Sequence, residues 1–147
     1  MKKNVYFLEE LAEKVLLEAK NYYEIKKNFS DEILLNLHSI YGTTLQNALD
    51  ILDRGKIIKY QPKKSVRCIF MIQKRKEQFL LYEGINFCFC DVFREEVLNE
   101  LRRSITCEHV LALQLGKIAN KITSDNNIKE PMLIETLNNA GLSHKDE

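Results

Sequence analysis

Two short cysteine clusters set the chemistry this chain can do. Cys88-Phe89-Cys90 places two thiols one residue apart, and Cys107-Glu108-His109 places a third thiol and an imidazole one residue apart, with sixteen residues between the clusters. On an extended segment the side-chain period is two, so Cys88 and Cys90 point to the same side. Cys107 and His109 would stand about 200° apart inside a regular helix, so they converge only if Cys107 lies at or before the first turn. That position also sets its thiolate at the positive end of the helix dipole. Three sulfurs and one imidazole close a tetrahedral Zn²⁺ shell and leave no open position for water. The spacing therefore predicts one structural zinc ion held by Cys88, Cys90, Cys107 and His109. The fourth cysteine, Cys68, is remote from both pairs and reads as a core residue, since free cysteine is commonly buried.

The flanking sequence supplies the elements that must hold these residues. Leu8, Leu11, Ala12, Val15, Ala19 and Tyr22 form one apolar stripe and predict a helix over Val5 to Tyr23. Ser30 offers an N-cap to a second helix marked by Ile33, Leu34, Leu37 and Tyr41 and stopped by Gly42. Within it, His38 has no nearby cysteine and reads as a surface or packing residue. Thr43 and Gln46 have capping-box spacing before a third helix that Gly55 ends.

Beyond Gly55 the period changes to two. Ile57 to Tyr60, Val66 to Gln73 and Gln78 to Tyr82 read as strands, with Pro62 at a turn and Lys74 to Glu77 as a hairpin connection. A further strand, Ile85 to Phe89, is expected to carry the first two ligands. Asp91 to Arg103 reads as a helix with Asp91 as its N-cap. Leu111, Leu115, Ile118 and Ile122 mark another helix after the second ligand pair. Pro131 can open a last one with Leu133, Leu137 and Ala140 inward and Gly141 as its stop; His144 falls in the tail beyond. The fold class is thus α+β, with N-terminal helices followed by a small antiparallel sheet and a Cys₃His zinc finger packed with helices. Its organisation is a helical segment over 1–55, a finger module over 56–123 and a C-terminal helix and tail over 124–147, together one compact unit.

The pattern C-x-C, spacer, C-x-H and an alanine three residues on, here Cys88, Cys90, Cys107, His109 and Ala112, resembles the SWIM zinc finger. Asp91 stands where a proline often follows the second cysteine, and Phe93 is in place. Upstream, Ala48, Leu49, Asp50, Asp53 and Arg54 supply an A-L-D-x-x-D-R pattern. Together with the finger, it resembles the zinc finger SWIM domain-containing protein seven family, the small SWIM subunit of the Shu complex. The likeness runs from about Asp31 to Ala119. It implies a non-catalytic nuclear subunit that pairs with a RecA-like recombinase paralogue. Such an assembly reaches single-stranded DNA directly or through the partner and promotes recombinase filaments in homologous recombination.

Composition bounds the alternatives. The 147 residues carry a net charge of +1 and include four cysteines. No run approaches the roughly 20 apolar residues of a membrane span, and Glu9, Glu10 and Glu13 interrupt any leader-like core, so an intracellular protein is expected. Four cysteines in a reducing compartment favour metal over disulfides. From Arg54 to Lys76 there are nine basic residues and no acidic one, whereas the flanks on either side are net acidic. A stand-alone nucleic-acid-binding finger would use Lys63, Lys64, Arg67, Lys74, Arg75 and Lys76 for sequence-independent phosphate contact. A solubilising hairpin loop fits the same charges. Gly116-Lys117 lacks the remaining residues of a P-loop, and a closed zinc shell has no activated water, so an enzyme is not expected. A SWIM adaptor in ubiquitin transfer would need a second metal cluster, which the sequence lacks.

Overall fold

The computed structural model describes residues 2–61 and 68–125, with side chains over 7–61 and 68–124. Pro62, Lys63, Lys64, Val66 and Arg67 lie outside the described residues, as do the Pro131 to Gly141 segment and His144. Three helices lead: α1 (Lys2–Lys26), α2 (Asp31–Tyr41) and α3 (Thr43–Arg54). Helix α1 buries Ala12, Val15 and Ala19, three of the residues in its apolar stripe, while Leu11 stays at the surface. Ser30 caps α2 as expected, its hydroxyl accepting from the Ile33 amide at 3.1 Å.

The step from α2 to α3 is tighter than a capping box allows. Gly42, at φ 62°, ends one helix and precedes the next, so Thr43 is already helical and its hydroxyl makes no capping bond. A residue can cap an N-terminus only from a non-helical conformation, and here the hinge glycine occupies that place.

The sheet contains β1 (Lys56–Tyr60), β2 (Ile69–Lys74), β3 (Glu77–Tyr82) and β4 (Thr123–Asp125), in the order β3-β2-β1-β4. The first three pair antiparallel, with Ile58 opposite Met71 and Met71 opposite Leu80. The unexpected β4 adds parallel to β1, Ile58 pairing with Thr123, so the sheet is mixed. Both faces are apolar. Ile57, Phe70, Ile72 and Leu81 join the helices in the main core, and Tyr60, Met71 and Leu80 form a smaller cluster with Ile58 and Ile69.

Two expected elements after the hairpin differ. Ile85 to Phe89 has no regular secondary structure and joins no ladder: a turn at Gly84 (φ 73°) separates it from β3, and the Phe87 amide bonds back to the Ile85 carbonyl at 3.1 Å in a tight turn at Asn86. The helix expected over Asp91 to Arg103 shrinks to a helical run over 91–97, whose last five residues, Phe93–Val97, form a π turn closed by the Leu98 amide on the Phe93 carbonyl. Its cap is Cys90 rather than Asp91: the Phe93 amide donates to the Cys90 sulfur at 3.4 Å, while Asp91 pairs with Arg94. The chain then turns back, held by the Ser104 amide on the Glu96 carbonyl at 3.1 Å. This return leads into α4 (Glu108–Ala119), which ends at a left-handed Asn120, so Ile122 packs against the core from beyond the helix.

Helix α4 lies close on α3 and β1 because Gly116 has no side chain. A Cβ there would come within 2.8 Å of the Ile57 Cδ1 tip, whereas a Cβ at Gly55 would meet the Gln73 carbonyl oxygen at 2.5 Å and the Ile51 carbonyl oxygen at 2.9 Å. A methyl at position 55 must displace backbone; at position 116 it must displace only the end of a flexible side chain. Gly55→Ala is expected to cost about 1–3 kcal/mol of stability and Gly116→Ala clearly less. Denaturant midpoints of the two variants check the ranking.

Candidate metal centre

The elements above bring both ligand pairs to one place. The extended segment after Gly84 buries Cys88 and Cys90 and exposes Phe89 between them, the alternation expected of a period of two. Cys107 is the N-cap residue of α4, in extended conformation (φ −98°, ψ 173°), and His109 lies in the first turn. The non-helical cap lets Cys107 and His109 converge. All four residues are buried, and their ligand atoms all lie within 4.8 Å of one another.

The distances fit a tetrahedral zinc. With Zn–S near 2.3 Å and Zn–N near 2.0 Å, an S···N edge is about 3.6 Å; Cys88 Sγ and His109 Nδ1 are 3.7 Å apart. The Cys88 thiol is pushed far above its usual range, first by its hydrogen bonds to Cys107 and Cys90 and then by burial. Cys90 is pulled far below its own by hydrogen bonds from Cys107 and Cys88, against burial. A divalent cation at the centre of the three sulfurs would allow all of them to ionise. Cys88, Cys90, Cys107 and His109 therefore form the site of one structural zinc ion. Cys68 takes no part in it: buried in the core, its thiol donates to Gln61 Oε1 at 3.5 Å.

Three supporting residues carry no signal in the sequence. Asn86, two residues before Cys88, donates to the Ile105 carbonyl at 3.1 Å and accepts from the Thr106 hydroxyl at 2.6 Å. It ties the strand-like half of the site to the loop that delivers Cys107. From β3, Phe79 stacks on the His109 ring with centroids 4.1 Å apart, fixing the plane of the imidazole. These positions are ordinary by residue type, and only the fold places them beside ligands.

The basic residues divide differently. Lys63, Lys64 and Arg67 lie outside the described residues. Lys74 is bound to Asp50 at 2.5 Å, and Arg54 shares the same carboxylate at 3.2 Å. The hydrogen bond from Lys74 holds the Asp50 carboxyl below its usual range. Arg75 and Lys76 form the exposed turn between β2 and β3, Arg75 at φ 58°. Lys117 lies over the Phe70 ring at 5.0 Å. Among the described residues, no helix is long and apolar enough to cross a membrane.

An α+β domain closed on a buried Cys₃His centre, with the C-x-C and C-x-H spacing described above, defines a SWIM-type zinc-finger protein. The chain is 25% identical to human zinc finger SWIM domain-containing protein 7 over 129 residues, 85% of this chain and 91% of the human protein. The Dictyostelium discoideum homolog of that protein is 30% identical over 95 residues, 63% of this chain and 60% of its own, and the zebrafish protein, from Danio rerio, is 23% identical over 107 residues, 73% and 76%. Over most of its length the chain is thus similar to the zinc finger SWIM domain-containing proteins 7. No protein-family model matches it, and no solved structure does.

The purified protein is expected to carry one zinc per chain. Cys107→Ser is expected to lose metal and solubility together, and Cys68→Ser to retain the metal. Asn86→Ala, which severs only the tie between the halves, should keep the stoichiometry but release zinc to a competing chelator faster. Elemental analysis and chelator competition distinguish the three.

Proposed function

We propose that this protein is a non-catalytic, nuclear zinc-finger subunit of a Shu-type complex, paired with a RecA-like recombinase paralogue and promoting recombinase filament assembly in homologous recombination. The observation that carries the proposal is the closed Cys₃His centre in a chain similar along most of its length to zinc finger SWIM domain-containing protein 7. Four protein ligands fill the zinc, so the metal has no position for a substrate or an activated water. Its contribution is structural: it ties the segment after β3 and the spacer to the start of α4. Closed zinc sites contribute on the order of 10–16 kcal/mol in finger peptides, enough to decide whether a domain of this size folds.

A stand-alone nucleic-acid-binding finger is the second reading, and the hairpin turn favours it. Arg75 and Lys76 project at the end of β2 and β3, near a Lys74 that Asp50 holds. This arrangement gives a test with opposite signs. If the turn touches phosphate, Arg75→Gln with Lys76→Gln weakens single-strand binding and flattens its salt slope by up to about 0.7 for each phosphate no longer neutralised, while Asp50→Asn frees Lys74 and strengthens it. Under the subunit reading, co-expression with the RecA-like paralogue yields a stable complex, both sets of variants leave that association intact, and any ATP turnover resides in the partner. Failure to form the complex, with DNA binding that follows the hairpin charges, puts the second reading in front. Turnover by the isolated chain that Lys117→Ala abolishes overturns its non-catalytic character.

A further inference from the structure

We infer that the spacer between the two zinc-ligand pairs, around Val92, Leu98 and Leu101, is the face that docks the protein partner, through apolar side chains flanked by Lys and Arg. The inference rests on the subunit reading above. Single exposed apolar residues are normal on any surface; their concentration is what matters. Of the ten large apolar side chains exposed among the described residues, five lie between Ile85 and Leu101, and Leu98 and Leu101 are 60% and 56% exposed.

The local backbone explains why they are outside. The π turn directs Phe93 and Val97 into the core, at 2% and 5% exposure, and then stops. Beyond it the chain bends back, passing through Arg102 at φ 43°, a conformation unfavourable for a side chain with a Cβ. That bend is held from both ends, by Ser104 on Glu96 and by an ion pair from Arg102 to Glu9 of α1. A sequence with the apolar content of a buried helix is thus held as an open bend with two leucines facing water. The zinc ligands anchor both ends of the spacer, so the surface is preorganised and loses little freedom on binding.

Charge specifies the occupant. Arg94 and Arg102 pair with Asp91 and Glu9, leaving Glu95, Glu96 and Glu100 in excess over Arg103 along the same stretch. An acidic rim repels a phosphate backbone and complements a basic one. The face therefore fits an apolar protein segment flanked by Lys or Arg, and not nucleic acid.

The test is co-expression of the full chain with the RecA-like paralogue, measuring affinity by titration and zinc by elemental analysis. Leu98→Glu with Leu101→Glu is expected to weaken association by roughly tenfold or more with zinc content and helical signal unchanged. Glu95→Lys with Glu100→Lys keeps the leucines; it should also weaken association and remove part of its salt sensitivity. The control Leu17→Glu, on an exposed α1 position, should leave affinity as it was. Native-strength association by both spacer variants overturns this docking face while sparing the subunit proposal. Reduced affinity with Leu17→Glu alone moves the interface to α1. No complex with the unaltered chain overturns both.

Discussion

Three sulfurs and an imidazole share one buried volume, and that crowding is the constraint from which the rest of the structure follows. Cys88, Cys90 and Cys107 are part of the main apolar core, alongside Phe70, Leu81, Leu111 and Leu115, so the metal centre is enclosed by the core and not appended to it. Packing polarisable thiols against leucines is ordinary while they are neutral, but their mutual hydrogen bonds push the Cys88 thiol up and the Cys90 thiol down. A dication bound by all four ligands would cross-link the segment after Gly84 to α4. The spacer would then be anchored at both ends, by the segment that follows β3 and by the start of α4.

The A-L-D-x-x-D-R motif acquires a physical meaning from the same geometry. Ala48 is fully buried against the core, Asp50 holds Lys74 at the end of β2, and Asp53 reaches Lys121 just beyond α4 at 3.6 Å. One turn of α3 therefore fastens both the hairpin and the end of the finger helix. Exposed ion pairs contribute little each, about 0–1 kcal/mol, so their value lies in orientation. With Gly55 and Gly116 permitting close approach, α3 serves as the plate on which the finger is mounted.

The ligand set was legible because each pair is governed by local geometry, the period of an extended chain for Cys88 and Cys90 and a helix cap for Cys107 and His109. The leading helices were legible for a similar reason, since Val15, Ala19, Ile33, Leu37 and Ala48 repeat at helical spacing. The spacer was not. Val92, Phe93, Val97 and Leu101 read as a helix stripe, yet the chain must return to Cys107, and the need to close the metal site overrides local propensity. Likewise Ile85 to Phe89 has strand composition, but Asn86 is committed to the loop before Cys107, not to a neighbouring strand. The three residues Thr123, Ser124 and Asp125 offer no apolar alternation, so their pairing with β1 follows only from where α4 releases the chain.

That last pairing has a kinetic side. Ile58 and Thr123 are partners 65 residues apart, with most of the sheet and both ligand pairs between them. Closing a long loop costs entropy that grows with its length, and parallel contacts of high sequence separation form slowly. Cys90 and Cys107 are only 17 residues apart, so a metal bridging them would close a much shorter loop than the one β4 must close. On the ribosome the metal can be captured once His109 has emerged, whereas the edge of the sheet must wait for Asp125. The short closure between the ligand pairs carries the smaller entropic cost, and the strand that completes the sheet the larger.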